Sequence, residues 1–208
     1  MTELEGIGSH LKIRLKKTEN PPHINMTILD FDEIEKYQEV REWFLNQTPS
    51  QLMQNKKRAV DTVWDLLEYL YILGYERASE EIGEYTKPKD YQDVIYKKFD
   101  GKDFEDRVSE YAELGDAGKI LRVVETDGNR VYNEGGLGAA KGKAKTKTWK
   151  TMNDEKVRSS HEPLENITVP VEDDFYTYDG DHAPGPCGFE NPANNVNCRC
   201  WLEFQREL

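Results

Sequence analysis

All the cysteines of this chain lie close to its C-terminus. There are three in 208 residues, Cys187, Cys198 and Cys200, and two of the four histidines, His161 and His182, lie in the same region. An odd number of cysteines cannot form a complete set of disulfides within the chain, so thiols or metal ligands are expected in a reducing compartment. The C-terminal region is therefore predicted to be a compact fold that depends on these side chains.

Four of these residues form a candidate zinc site. His161, Cys187, Cys198 and Cys200 offer one nitrogen and three sulfur donors, a tetrahedral set that structural zinc prefers. A bound ion would stabilise a loop-rich region that has few apolar residues. The spacing differs from that of a zinc ribbon, because the chain has no pair of C-x-x-C motifs. Buried thiols, or a disulfide from Cys187 to Cys198 or Cys200, are the alternatives, and no cofactor other than zinc is expected.

The composition indicates folded regions joined by polar segments. Only 37% of the residues are apolar and 33% are charged, but 11% are aromatic, which disordered chains lack. The net charge of −12 argues against a general nucleic-acid binder, which needs Lys and Arg to neutralise phosphates. No apolar run reaches the length of about 20 residues that spans a bilayer, and the N-terminus lacks the apolar segment of a signal peptide. We expect a protein made in a cytoplasm, without a membrane partner.

Residues 1–30 are predicted to form an N-terminal arm. Leu11, Ile13 and Leu15 alternate with basic residues, which is the period of a half-buried strand, and Asn20-Pro21-Pro22 ends the pattern. The strand could pair with an edge of its own domain or with a neighbouring molecule.

Residues 31–116 are predicted to be helical. Apolar residues recur at steps of three and four, which predicts helices over residues 32–46, 51–82, 91–99 and 104–114. The second helix has a wide apolar face. Gly74 within it is predicted to mark a close helix crossing, since glycine in a helix costs about 1 kcal/mol relative to alanine.

Residues 117–208 are predicted to form a further domain. A helix is expected over residues 117–132, and Gly135, Gly136 and Gly138 predict a flexible joint after it. Strands are expected at residues 148–152, 166–171 and 201–204. The polar loop at 178–197 is expected to lie outside the core. A helical N-terminal half followed by a small antiparallel β-sheet domain gives an α+β fold.

A run of lysines separates the predicted helix and sheet of this domain, at Lys141, Lys143, Lys145, Lys147 and Lys150. The run could be a basic finger that contacts DNA weakly or binds an acidic partner. It could equally be a solvated loop or an edge strand whose lysines prevent unwanted pairing.

The order of motifs from Trp149 onward is the most specific feature of the chain. The run W-K-T-M-N-D-E-K-V-R-S-S-H-E-P-L-E-N begins at Trp149, a β-rich stretch ends at Phe175, and Asn197-Cys198-Arg199-Cys200 closes the region. This order resembles the C-terminal domain of phage minor head proteins in the Mu F-like head morphogenesis family, which includes the SPP1-type minor capsid proteins. In that family a Trp opens a strand, a D-x-x-V-R-x-x-H segment follows, and N-C-R-C lies near the end.

The resemblance implies roles for individual residues. It implies that the fold is specified by Trp149, Asp154, Arg158, His161, Asn197, Cys198, Arg199 and Cys200. We further expect Asp154 and Arg158 to pair across a turn and His161 to bond the loop that returns to Cys198. The family carries an Arg and a Glu where this chain has Glu125 and Asp127, so no activity is transferred from those positions.

The resemblance also implies a function. It points to a minor structural protein of a tailed-phage or prophage head that is associated with the portal and acts in head assembly, DNA packaging or DNA delivery. The acidic helical half would bind the portal protein, or the scaffold or major capsid protein. The protein would lie in the virion, in the head interior or at the portal vertex, after assembly in the host bacterial cytoplasm.

Two other functions compete with this one. Mu F-like domains are found joined to toxin domains, so a divergent ADP-ribosyltransferase or nuclease is one alternative, and a zinc-binding interaction module is the other. His161 and Arg158 follow Asp154 and Glu155, which is a combination that could serve acid-base catalysis. However, the sequence shows no nucleophile for such a reaction, and it has neither a P-loop nor an H-E-x-x-H motif. The protein is therefore not expected to be an enzyme.

Overall fold

The computed structural model describes residues 3–7, 10–14, 56–88 and 91–206. The chain divides into two units, residues 1–42 and 43–208. In the first unit, strand β1 (Glu3–Ile7) pairs antiparallel with strand β2 (His10–Arg14). The predicted arm strand is thus confirmed as far as Arg14. Its continuation to Leu15 and the helix predicted at 32–46 lie outside the described residues.

The described part of the second unit opens with helices. They are α1 (Lys56–Ile82), α2 (Gln92–Ile95), α3 (Phe104–Glu113) and α4 (Ala117–Ala140). Asp103 and Asp116 cap α3 and α4, because each side chain accepts a hydrogen bond from a backbone N–H in the first turn. Helix α2 is shorter than predicted, since Phe99 pairs with Lys102 across a tight turn in which Asp100 and Gly101 have positive φ. Among the described residues, every helix is too short or too polar to span a membrane.

Helices α1 and α4 cross with their backbones in contact. A Cβ atom at Gly74 would lie 1.9 Å from the Tyr132 carbonyl oxygen, and one at Gly135 would lie 2.1 Å from the Tyr71 carbonyl oxygen. The predicted crossing at Gly74 is therefore confirmed. The flexible joint predicted at 134–140 is wrong, because α4 runs without a break to Ala140. The glycines of this segment allow close packing, and a Cβ at Gly136 would meet the Phe204 ring at 2.8 Å.

A three-stranded antiparallel sheet follows the helices. Strand β3 (Thr146–Lys150) lies between β4 (Thr168–Pro170) and β7 (Trp201–Gln205). Strand β7 packs on α1 and α4, so helices and sheet share a core. A separate hairpin pairs β5 (Phe175–Tyr176) with β6 (His182–Ala183). The predicted α+β class is confirmed: helices come first and a small antiparallel sheet comes after them.

The loop at 178–197 contributes to the core, so the prediction that it lies outside is wrong. Phe189 and Cys187 are buried, and a short helix, α5 (Pro192–Asn195), places Asn195 beneath them. The Asn195 amide accepts a hydrogen bond from the Phe189 N–H and donates one to the Phe189 carbonyl. Polar side chains that satisfy the backbone in this way allow a polar loop to be buried.

The lysine run does not form an edge strand. Lys147 lies on β3, the central strand of its sheet, and its side chain is 0% exposed. Its ammonium group lies 5.5 Å from the centre of the Phe175 ring and has no hydrogen-bond partner among the described residues. Lys141 and Lys145 are exposed. Only Lys141 and Lys145 are therefore exposed to solvent in the way that both predictions require.

Candidate metal centre

Three separate loops bring the predicted metal ligands together. His161 immediately precedes a single 3₁₀ turn (Glu162–Leu164), while Cys198 and Cys200 lie just before β7. The Nδ1 atom of His161 lies 3.6 Å from the Cys198 sulfur and 3.5 Å from the Cys200 sulfur. The three ligand atoms all lie within 4.8 Å of one another, and all three residues are buried. The predicted contact between His161 and the loop at Cys198 is therefore confirmed.

Cys187 lies beside these three residues. Its thiol donates a hydrogen bond to the Asn195 carbonyl at 3.5 Å, and its sulfur is not among the atoms that lie within 4.8 Å of one another. Its backbone has φ +63°, a conformation that residues other than glycine rarely adopt. The structure thus assembles three of the four predicted ligands and places the fourth at their side. We call His161, Cys187, Cys198 and Cys200 together the C-terminal cluster.

The thiols polarise one another. Hydrogen bonding with Cys187 and Cys200 holds the pKa of Cys198 well below its ordinary value, with a further contribution from His161. Hydrogen bonding with Cys198, together with burial, raises the pKa values of Cys187 and Cys200. All three cysteines are free in the structure. Cys198 is therefore the sulfur that most readily carries a negative charge.

Two asparagines on α4 hold the cysteine loop in place. Asn129 donates to the Cys198 and Cys200 carbonyls at 3.0 and 3.2 Å and to the Cys187 sulfur at 3.4 Å. Asn133 also donates to the Cys200 carbonyl at 3.2 Å, and it accepts from the Leu202 N–H at 3.1 Å. Neither asparagine was among the predicted site residues. The available signal was a pair of asparagines, which are poor helix formers, four residues apart in the sequence of helix α4.

Aromatic rings enclose the cluster. The Trp149 ring meets the His161 ring edge-on at 5.2 Å, and Phe189 lies 5.5 Å from His161 on another side. The Trp149 side chain is fully buried. Among the described residues, neither Trp149 Nε1 nor His161 Nε2 has a hydrogen-bond partner. The cluster is therefore a buried site in which the imidazole has sulfur as its polar neighbour.

The charged motif residues hold loops together instead of lining the cluster. Arg199 binds Asp154 through two hydrogen bonds of 2.6 and 2.9 Å. Arg158 donates to the Ala193 and Val196 carbonyls, where α5 ends. The predicted pair of Asp154 with Arg158 is therefore wrong. The carbonyls at a helix C-terminus attract the Arg158 cation, which leaves Asp154 to Arg199.

Two further motif positions have structural roles. Asn197, which opens N-C-R-C, is exposed and has φ +57°, a backbone conformation in which Asn is enriched among residues other than Gly. Asp127, where the family carries Glu, is buried between Arg107 at 2.9 Å and Arg130 at 3.2 Å. Arg130 also donates to the Val94 carbonyl at 2.7 Å. The chain therefore keeps a paired carboxylate at this position.

A family model described as Phage Mu protein F like protein matches residues 93–203 of the chain. The matched segment is more than half of the chain, and it contains α3, α4, most of the three-stranded sheet and the whole C-terminal cluster. No curated protein and no solved structure matches the chain.

Proposed function

The chain belongs to the Phage Mu protein F like family of phage head-related proteins, and from this premise we propose that it is a minor structural protein of a tailed-phage or prophage head. It associates with the portal and acts in head assembly, DNA packaging or DNA delivery. It lies at the portal vertex or in the head interior after assembly in the host cytoplasm. The observation that carries the proposal is that the family match includes the motif residues and the cluster that they enclose.

The state of the polar motif residues supports a binding role over an enzymatic one. His161 is 1% exposed, and its Nδ1 atom faces two sulfurs. The Arg158 guanidinium is occupied by two backbone carbonyls. A general acid or base must reach the proton that it transfers, and an Arg that stabilises an anion must face the substrate. Because these residues are engaged inside the protein, we propose that it is not an enzyme.

An acidic surface on the helical half is the proposed contact with the portal. Glu105 and Asp106 are exposed in the first turn of α3, within the matched segment. The chain carries a net charge of −12, so a basic surface on the portal protein would attract it at low ionic strength. Contact with DNA is a lesser proposal and rests on the exposed Lys141 and Lys145 alone.

The test is a pull-down of the full chain with the portal protein that is encoded beside its gene. We expect specific binding that weakens as salt is added. Glu105→Gln with Asp106→Asn should weaken it about tenfold, because two complementary charges are lost. The control variant Glu172→Gln with Asp173→Asn removes two exposed carboxylates from the loop after β4 and should bind like the wild type.

A folded wild-type chain that binds neither portal, scaffold nor major capsid protein would refute this function. NAD cleavage and nuclease assays would then test the toxin-type alternative. Equal losses in both double variants would show that the attraction is unspecific and would refute the α3 surface.

A further inference from the structure

We propose that the C-terminal cluster binds one structural Zn²⁺ ion, with His161 Nδ1 and the sulfurs of Cys198, Cys200 and Cys187 as its four ligands. The proposal does not depend on the role in the phage head, because it rests on the geometry of the cluster alone.

The distances within the cluster fit a tetrahedral ion. Zinc bond lengths of about 2.3 Å to sulfur and about 2.1 Å to nitrogen place tetrahedral N and S ligands roughly 3.6 Å apart. The His161 nitrogen lies 3.6 Å from the Cys198 sulfur and 3.5 Å from the Cys200 sulfur. Two of the three N–S edges of the coordination tetrahedron are therefore already in place.

Hydrogen bonding alone does not account for this arrangement. A neutral imidazole nitrogen has a single lone pair, and in His161 two thiols converge on the same atom, Nδ1. Only one of them can donate to it, so the close approach of the second sulfur to the same nitrogen is not explained by that lone pair. A metal ion at the centre of the three atoms satisfies all of them at once. Sulfur and imidazole nitrogen in a tetrahedral arrangement select zinc over magnesium or calcium, which prefer oxygen.

Cys187 is assigned as the fourth ligand because of its neighbours. Its sulfur receives the Asn129 amide N–H at 3.4 Å, and the same amide bonds the Cys198 and Cys200 carbonyls, so one side chain links Cys187 to both of these ligands. It must shift toward His161 to complete the set. Cys187 is the remaining cysteine of the chain and is 1% exposed, so it is the sulfur available for the fourth position.

The loop that carries two of the sulfurs is fixed before any ion binds. Asn129 and Asn133 bond the carbonyls of Cys198 and Cys200, so the N-C-R-C backbone is anchored to α4. Outer bonds of this kind orient the ligands of structural sites and are needed for full metal affinity. On binding, each of the three thiols releases its proton to solvent, so the reaction takes up Zn²⁺ and yields three protons.

The first experiment measures metal in the wild-type chain, purified with reductant and without chelator or affinity tag. We expect one zinc per chain by native mass spectrometry and a lower melting temperature after chelation, restored by adding Zn²⁺. Replacement by Co²⁺ should give a thiolate-to-metal charge-transfer band. A folded chain that holds no zinc and gives no such band would overturn the proposal, and so would a disulfide among the three cysteines in the freshly purified protein.

Variants then assign the ligands. Cys198→Ser, Cys200→Ser and His161→Asn should lose the metal, whereas His161→Cys should retain it with a stronger charge-transfer band. His182→Asn is the matched control, because His182 is exposed and bonds Asp174 outside the cluster. Cys187→Ser should still bind, with lower affinity and a weaker band. An unchanged band in that variant would refute Cys187 as the fourth ligand, and loss of metal in His182→Asn would refute the assignment of His161.

Discussion

The crossing of α1 and α4 and the C-terminal cluster are stabilised in opposite ways. At the crossing, two backbones touch through Gly74 and Gly135, so stability depends on the absence of side-chain volume. At the cluster, thiols, carbonyls and amides meet from segments as far as 71 residues apart, as in the bond from Asn129 to Cys200. The crossing should therefore be sensitive to added atoms, and the cluster to lost polar partners.

The largest effect is expected at Asp127, a buried carboxylate of helix α4 that pairs with two arginines. Asp127→Asn leaves Arg107 and Arg130 without the carboxylate that both contact, and a buried charge without its counterion costs about 3–5 kcal/mol. The free energy of unfolding in urea measures this loss. Asp154→Asn, whose carboxylate is exposed, is the control and should change stability little. Equal effects in the two variants would show that burial of Asp127 does not matter.

The second effect tests the crossing directly. Gly135→Ala places a methyl group 2.1 Å from the Tyr71 carbonyl oxygen, and the helices must separate to accept it. We expect a loss of about 3 kcal/mol in the free energy of unfolding, at the upper end of overpacking effects. Gly118→Ala in the same helix has only the Asp116 side chain nearby, at 3.5 Å, and should be neutral or stabilising. If both alanines stabilise the protein, the close crossing is wrong.

A smaller effect is expected at the C-terminal cluster. Asn129→Ala removes the amide that bonds the Cys198 and Cys200 carbonyls, which should cost about 2 kcal/mol. The loop should also open more often, so the buried thiols of the metal-free protein should react faster with a disulfide reagent. Asn166→Ala, on the exposed turn before β4, should leave the thiols protected. Unchanged thiol reactivity in Asn129→Ala would show that the bonds from α4 do not hold the cysteine loop closed.

The same contrast explains which parts of the fold the sequence could predict. The crossing at Gly74 was predictable because an apolar period and a glycine lie on one helix. The continuation of α4 through Gly135 and Gly136 was not, because the contacts that justify those glycines come from Tyr71 and Phe204, far away in the chain. The local sequence does not distinguish a glycine that breaks a helix from one that lets two helices touch.

The candidate site was predictable in its members but not in its arrangement. Cys198, Cys200 and His161 were identified from residue type, since few other side chains bind soft metals. The partner of Asp154 was predicted wrongly because proximity in sequence favoured Arg158, whereas Arg199 is 45 residues away. Hydrogen-bond partners in loops depend on the tertiary fold, and a single sequence gives no signal for them.

The smallest effect concerns Lys147, a buried charge in the central strand. Burial lowers the pKa of Lys147 from its ordinary value of 10.5, so its protonated form opposes folding. This penalty is complete below the folded-state pKa and disappears as pH rises toward 10.5, where the unfolded chain also loses the proton. Lys147→Met should therefore raise the free energy of unfolding by about 1 kcal/mol at neutral pH, and its advantage should shrink in alkaline solution. Urea unfolding of both proteins at neutral and alkaline pH measures this difference, with the exposed Lys145→Met as control. A destabilised Lys147→Met would mean that the attraction between the Lys147 ammonium and the Phe175 ring exceeds the cost of burying the charge. The sheet would then depend on a polar contact, as the C-terminal cluster does.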